Sequence, residues 1–102
     1  MTNEFKDEYK QRLKQYRSEV QKYTRKQPLF QLENYEKRGK GSFHLDHIVS
    51  IKYGFDNGIE PELIGNIANL RYLYWNENIS KRNYLTQEGW DVISYFINEG
   101  ML

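Results

Sequence analysis

Apolar side chains recur at helical spacing through the first quarter of the chain. They are Phe5, Tyr9, Leu13, Tyr16, Val20 and Tyr23. Steps of three and four residues place these positions on one face of a helix, while Lys and Arg fill the other faces. We predict a basic amphipathic helix within residues 1–28, running from about residue 3 to residue 26. Asn3 can cap its start, and Pro28 ends it.

Two later segments have the composition of strands. Apolar side chains largely alternate over residues 43–51, which predicts a strand and its continuation. Residues 70–75 are rich in aromatic side chains and leucine, and they predict a second strand. The connection over residues 53–66 contains several turn-forming residues, and a short helix can start at Pro61. Such a long connection in a small domain is typical of a functional loop.

The remaining segments favour helices and turns. Residues 29–35 fit either a short strand or one helical turn, and residues 76–83 fit a short helix. A last helix is predicted over residues 86–98, with Thr86 as its cap. Its core-facing positions are predicted to be Trp90, Ile93, Phe96 and Ile97. The mixture of helices and strands predicts one α+β domain over residues 1–102.

Composition narrows the class of protein. The 102 residues include no cysteine, which excludes a disulfide framework and a thiolate zinc site. Any metal would therefore need histidine or oxygen ligands. The N-terminal residues are charged and lack the apolar segment of a secretory signal, and no stretch has the length and apolarity of a membrane span. We expect a soluble, intracellular, cytoplasmic protein that does not associate with membranes.

The net charge of +1 hides an uneven distribution. Residues 1–40 carry 11 basic and 6 acidic side chains, whereas residues 41–102 carry 4 basic and 8 acidic ones. A basic first part and an acidic second part predict two tasks, which are holding a polyanion and holding a cation. The 16 aromatic residues predict a small core filled by large side chains.

Both histidines of the chain flank one aspartate, in the order His44, Asp46, His47. Alternation along a strand puts His44 and Asp46 on one face and His47 on the other, although the twist at a strand end lets both faces reach one cleft. The alternative interpretation is a pair of exposed or partly satisfied core histidines. Their position beside a long polar loop favours a functional site.

Asn78 is a second candidate ligand. Its amide oxygen is a neutral hard donor, and the Asp46 carboxylate is a charged one. Two oxygen ligands without a thiolate suit Mg²⁺ or a similar hard divalent cation, completed by water and phosphate. Taken alone, Asn78 is better explained as a helix cap.

The spacing of these residues resembles the motif of the HNH endonuclease family. The matching elements are His44-Leu45-Asp46-His47-Ile48, Gly54, Asn69-Leu70 and Asn78-Ile79-Ser80-Lys81. Residues 50–59 are similar to the phage and homing-endonuclease branch of that family. The resemblance covers residues 38–84, close to half of the chain, and it points to a phage or bacterial source.

The resemblance implies a ββα-metal fold, with the long N-terminal helix and the C-terminal helix packed around it. Asp46 and Asn78 would hold a divalent cation, first Mg²⁺, with Mn²⁺ or another divalent ion as alternatives. His47 would be the general base, and Asn69 would brace the loop. His44 would contact phosphate, add a ligand or support the metal ligands. The chain lacks the cysteine pairs of a structural zinc, and Ser50 stands where many relatives have proline.

The expected function is that of a metal-dependent DNA endonuclease or nickase acting on double-stranded DNA. Candidates for phosphate contact are Lys52, Arg71, Lys81 and Arg82, with ordinary solvated surface as the alternative for each. Two other functions remain open. One is a non-catalytic nucleic-acid-binding module, and the other is a nuclease subunit or toxin that depends on a protein partner.

Overall fold

Helices surround one two-stranded antiparallel sheet in the computed structural model, which describes residues 3–39, 41–77 and 84–102. The helices of this part of the chain are α1 (Asn3–Arg25), α2 (Ile51–Asp56), α3 (Pro61–Ile64) and α4 (Gln87–Asn98). The strands are β1 (Phe43–His47) and β2 (Leu70–Tyr74), and short 3-10 turns occupy Leu29–Gln31, Tyr35–Lys37 and Ile67–Asn69. The α+β class is confirmed. Residues 75–77 are helical, and the rest of the predicted helix over residues 76–83 lies outside the described residues.

The N-terminal helix α1 lies where the sequence predicts it, but Asn3 is a helical residue and not its cap. Tyr16 and Val20 of the predicted apolar face are buried, and Thr24 joins them, whereas Phe5 at the start of the face is 58% exposed. The Tyr16 hydroxyl donates a hydrogen bond of 2.7 Å to the Ile59 carbonyl oxygen, and burial raises the pKa of Tyr16 above its ordinary value. Among the described helices, α1 included, none combines the length and the apolarity needed to cross a membrane.

The pairing of β1 with β2 places Asp46 and His47 on opposite faces of the sheet. His47 pairs with Leu70, and Asp46 pairs with Arg71. Because side chains alternate across a sheet, His47 shares its face with Leu70, whereas Asp46 and Arg71 lie on the opposite face with His44. This arrangement agrees with the predicted alternation.

The predicted continuation of the first strand to residue 51 is wrong. β1 ends at His47, and α2 begins at Ile51. Ser50 caps this helix, because its hydroxyl accepts a hydrogen bond of 3.0 Å from the Tyr53 amide. The loop predicted over residues 53–66 therefore contains most of α2 and also α3, which starts at Pro61 as predicted. Residues 29–35 form 3-10 turns rather than a strand.

Helix α4 is capped as predicted but faces the core differently. The Thr86 hydroxyl accepts a hydrogen bond of 3.1 Å from the Gly89 amide. The residues that α4 buries are Gly89, Val92, Ile93 and Phe96. Trp90 and Ile97 are 54% and 55% exposed, so their predicted core positions are wrong. Only the stripe of α4 residues that recur at steps of three and four meets the core, and Trp90 and Ile97 lie outside that stripe.

Helix α1 packs unusually closely against the connection between the strands. A Cβ atom at Gly65 would lie 2.8 Å from the Val20 carbonyl oxygen, and one at Gly54 would lie 2.5 Å from the Tyr16 hydroxyl. Both distances are too short for a side chain. Glycine at these two positions therefore lets the C-terminal half of α1 approach the loop that follows β1.

Candidate active site

His47 is held at the end of β1 by a side chain of α1. Its Nε2 atom lies 3.0 Å from the hydroxyl oxygen of Thr24, which is 1% exposed. The same hydroxyl donates a hydrogen bond of 2.8 Å to the Val20 carbonyl oxygen. The tautomer with a proton on Nε2 satisfies both contacts, because the hydroxyl then accepts from His47 and donates its own proton to Val20. That tautomer leaves Nδ1 as the basic nitrogen.

Asp46 lies on the other face of the hairpin and is 4% exposed. Its carboxylate accepts a hydrogen bond of 3.0 Å from Nε of Arg71, and Nη1 of Arg71 donates one of 2.7 Å to Glu88 on α4. Burial alone would lower the pKa of Arg71, but the hydrogen bonds to Glu88 and Asp46 outweigh it and raise that pKa. Arg71 thus ties both strands to α4 as a permanent cation.

Asn69 has the bracing geometry that the resemblance implies. Its side chain is fully buried, and its Nδ2 atom donates to the carbonyl oxygens of Val49 and Ile64 at 3.1 and 2.8 Å. Its Oδ1 atom accepts a hydrogen bond of 2.7 Å from the Val49 amide. One amide group thereby fixes the chain just after His47 to the end of α3. Such a fully bonded buried amide is well suited to hold a loop in one conformation.

His44 shares the hairpin face of Asp46 but is exposed and pairs with Leu73. The described contacts assign it no role, so the three functions considered for it stay predictions.

Of the two residues predicted to bind a cation, only Asp46 lies within the described part of the chain. Over residues 3–39, 41–77 and 84–102, no group of three or more His, Asp or Glu side chains is placed to hold a metal ion. Asp46 supplies a hard carboxylate oxygen, which fits the donor chemistry of Mg²⁺. Asn78 lies outside the described residues, as do Lys81 and Arg82. Their predicted roles therefore stay predictions.

The two described candidates for phosphate contact are engaged by carboxylates. Lys52 donates a hydrogen bond of 2.6 Å to Asp56, which also accepts one of 2.6 Å from the Tyr9 hydroxyl on α1. The hydrogen bond to Asp56 raises the pKa of Lys52. Arg71 is bound to Asp46 and Glu88. To contact a phosphate, Lys52 or Arg71 would have to exchange these partners.

Thr24 and Glu88 were absent from the sequence-based list of site residues. Thr24 lies four positions after Val20, so it continues the apolar stripe of α1 as a polar member. A polar residue on the apolar face of a helix is the signal in the sequence, because a buried polar group needs a hydrogen-bond partner. Glu88 is one of two acidic residues in the first half of α4, and its spacing to Asp46 in the sequence carries no signal.

Comparisons with protein-family models, with curated proteins and with solved structures found no match to this chain. Its function is therefore inferred from its own residues. The central feature of the site is a histidine that contacts a buried hydroxyl and directly follows a buried aspartate.

Proposed function

We propose that this chain is a nuclease that hydrolyses phosphodiester bonds in DNA, with His47 as the general base. The observation that carries the proposal is the hydrogen-bond series from His47 through Thr24 to the Val20 carbonyl. It gives the imidazole a fixed orientation and a basic Nδ1, which are the two properties that a general base requires. The HNH-like spacing around His47 supports the same assignment.

In the proposed reaction, Nδ1 of His47 takes a proton from water. The resulting hydroxide attacks phosphorus in line with the 3′ oxygen, which leaves and is protonated by solvent. By analogy with the family, the products are a 5′-phosphate and a 3′-hydroxyl. Thr24 accepts a hydrogen bond from Nε2–H throughout, and this bond stabilises the imidazolium that forms. General-base catalysis contributes about 10²–10⁴-fold to the rate of such a step.

Asp46 and Asn78 are the proposed ligands of a divalent cation. When bound, that cation would offset the negative charge that develops on the phosphate and the leaving oxygen. Asp46 suits the role because it is a hard oxygen donor at the residue before His47. The contact from Arg71 occupies one oxygen of this carboxylate and holds its orientation.

Exposed positive charge is concentrated at the C-terminal end of α1. Lys22, Arg25 and Lys26 flank Thr24 in sequence, and the side chains of all three are exposed. Lys22 and Arg25 lie in the last turn of α1, and Lys26 directly follows it, so a polyanion bound at this end of the helix would meet these cations on its outer surface. Their position supports a nucleic acid as the substrate.

The Arg71–Asp46 ion pair also favours a second candidate function. The buried carboxylate already has a cationic partner, and a chain that only binds DNA needs no metal. In that case the protein is a non-catalytic nucleic-acid-binding module that keeps the HNH shape.

A plasmid-nicking assay tests the proposal. The wild-type protein should nick supercoiled DNA with Mg²⁺ or Mn²⁺ and stop in EDTA. His47→Ala should retain the fold, measured by circular dichroism, and lose about 10²-fold or more in rate, because it removes the base. Asp46→Asn should weaken Mn²⁺ binding measured by calorimetry.

Asp91→Asn is the matched control for Asp46→Asn, because it removes an exposed carboxylate on α4. It should leave nicking and Mn²⁺ binding unchanged. Nicking by His47→Ala at the wild-type rate would contradict the assignment of the base. DNA binding without cleavage under all metal conditions would favour the second candidate function.

A further inference from the structure

Aromatic and cationic side chains form a surface at the end of the hairpin away from His47. We call it the aromatic end surface, and its members are Tyr35, Lys37, Arg38, Phe43, Tyr74 and Trp75. The rings of Phe43 and Tyr74 lie 5.6 Å apart between centroids, and those of Tyr74 and Trp75 lie 6.3 Å apart. The three rings therefore form a continuous series rather than isolated side chains.

The surface is accessible at its outer edge and anchored at its inner edge. Tyr74 and Trp75 are each 41% exposed. Tyr35, another member of the surface, packs against the buried Tyr72 at 6.0 Å between centroids. The ring contacts of Tyr35 and Tyr74 limit their motion, which reduces the entropy lost when they bind a flat partner.

Two cations are stacked on these rings. The guanidinium of Arg38 lies 3.7 Å from the centroid of the Tyr35 ring, and Nζ of Lys37 lies 5.8 Å from the centroid of the Phe43 ring. Both cations are exposed, and they outnumber Glu36, the acidic residue of the same turn. The aromatic end surface therefore combines flat apolar groups with positive charge.

The turn that presents the cations is tied to the strands. The Ser42 hydroxyl donates a hydrogen bond of 2.7 Å to the Lys37 carbonyl oxygen, and the Gly39 amide donates one of 3.1 Å to the Phe43 carbonyl oxygen. The Trp75 amide donates one of 2.9 Å to the Ser42 carbonyl oxygen. These bonds hold the backbone of the turn against the ends of both strands.

We propose that the aromatic end surface stacks unpaired bases of a nucleic acid strand, so that the favoured substrate has single-stranded nucleotides near the bond that is cut. The inference rests on the proposed action on nucleic acids and specifies its substrate. Exposed rings bind bases by stacking, and adjacent Lys and Arg side chains bind the phosphates between them. Bases within a duplex are already stacked on one another, whereas unpaired bases offer their faces to the protein.

The surface lies within reach of a strand bound at His47. Phe43, Tyr74 and His47 lie on the same face of the hairpin by their register. Phe43 and His47 are four positions apart in β1, which corresponds to about 13 Å along the strand. One strand of a duplex advances about 3.4 Å for each nucleotide. The stacked bases are therefore about four nucleotides from the proposed cleavage point. The number is smaller if the bound strand is more extended than in a duplex.

Charge distinguishes this surface from the exposed apolar side chains of α4. Trp90 and Ile97 are exposed on α4, but that helix contains acidic residues and neither Lys nor Arg. A polyanion is therefore drawn to Lys37 and Arg38 rather than to α4. The chain has two tryptophans, Trp75 on the aromatic end surface and Trp90 on α4, so the fluorescence of each can report on its own surface.

Tryptophan fluorescence in EDTA tests the proposal without cleavage. The probe is an oligothymidylate of about twelve nucleotides, which is within the usual range of site sizes for single-strand binding. In Trp90→Phe, all tryptophan emission comes from Trp75, and it should be quenched to saturation by the oligonucleotide. In Trp75→Phe, all emission comes from Trp90 and should change little. Quenching confined to Trp90 would overturn the proposal.

Affinity measurements give the second test. Trp75→Ala should weaken oligothymidylate binding by about five-fold to a hundredfold, with a much smaller effect on a duplex of equal length. Trp75→Phe should restore most of the affinity, because it keeps a flat ring. Trp90→Ala is the matched control and should bind as wild type.

Two results would overturn the inference. One is equal loss of single-strand and duplex binding in Trp75→Ala, which would indicate general damage to the surface. The other is a Trp75 signal that depends on protein concentration without oligonucleotide, which would show a second copy covering the surface. Failure here would leave metal-dependent nicking intact, and absence of nicking would leave single-strand binding intact, so the two proposals fail separately.

Discussion

The histidine proposed as the base depends on a hydroxyl that lies 23 positions earlier in the chain. The Thr24 hydroxyl contacts both the Val20 carbonyl and Nε2 of His47, and both contacts are satisfied when Nε2 carries the proton. This contact selects which imidazole nitrogen is basic, and it also fixes the plane of the ring. Thr24 is thus a positioning residue for the proposed reaction.

Thr24→Val tests this role at the scale of one residue. Valine has nearly the same shape as threonine but cannot accept the hydrogen bond from Nε2. We expect kcat for nicking to fall by about five-fold to tenfold, corresponding to one hydrogen bond of about 1 kcal/mol, with KM little changed. Steady-state kinetics on supercoiled plasmid measures both quantities.

Thr24→Ser is the conservative control for that substitution. Serine retains the hydroxyl, so kcat should return most of the way to the wild-type value. If Thr24→Ser lost as much activity as Thr24→Val, the effect would come from packing rather than from the hydrogen bond. Thermal unfolding of both variants would show that difference directly.

At the scale of elements, the site depends on how closely α1 approaches the connection between the strands. The backbone of α1 near Val20 and Thr24 meets Gly65 at a distance that leaves no space for a side chain. The same approach brings Thr24 to His47. A small residue in a connecting loop therefore determines a contact in the proposed active site.

Gly65→Ala should lower the free energy of unfolding by about 1–3 kcal/mol, because the new methyl group would collide with backbone atoms of α1. It should also reduce nicking under conditions where the protein is still folded, since α1 carries Thr24. Chemical denaturation measures the stability, and the nicking assay measures the second effect.

Gly89→Ala is the matched control, because its new methyl group would meet mainly the flexible end of the Leu85 side chain. Alanine also favours the helix by up to about 1 kcal/mol relative to glycine. We therefore expect unchanged or raised stability. A Gly65→Ala protein as stable as wild type would show that α1 can shift without cost.

At the scale of the whole molecule, many of the basic residues lie along one helix, α1. The basic residues of α1 extend along a helix of 23 residues, about 35 Å, whose C-terminal end lies at His47. Phosphates near the proposed cleavage point would contact that end first. Contacts farther along α1 would require a longer bound segment.

Replacing Lys22, Arg25 and Lys26 together with glutamine tests this arrangement. DNA affinity should fall, and the slope of log K against log salt should become shallower by about 1 to 3, since each lost phosphate contact contributes about 0.9. Fluorescence anisotropy over a range of salt concentrations measures the slope. The matched variant replaces Lys6, Lys10 and Lys14, at the far end of α1, and should change the slope less. Equal slopes in the two variants would argue against a specific path along the helix.

Much of the secondary structure was predictable because it depends on local pattern. The spacing on α1, the Thr86 cap and the helix start at Pro61 are all confirmed. The end of β1 was misplaced because apolar alternation continues through residues whose backbone turns into α2. The core face of α4 was partly wrong because several apolar positions competed for one stripe, and contact with the rest of the fold decided among them.

The sequence by itself determined the α+β class, the alternation of His44, Asp46 and His47, and the concentration of basic residues on α1. These follow from spacing and composition, which act locally along the chain. Only the tertiary structure decided that Thr24 meets His47, that Arg71 binds Asp46 and Glu88, and that Tyr74 and Trp75 form a surface with Lys37 and Arg38. These contacts join distant segments, and their geometry depends on close packing, including the approach of α1 to Gly65.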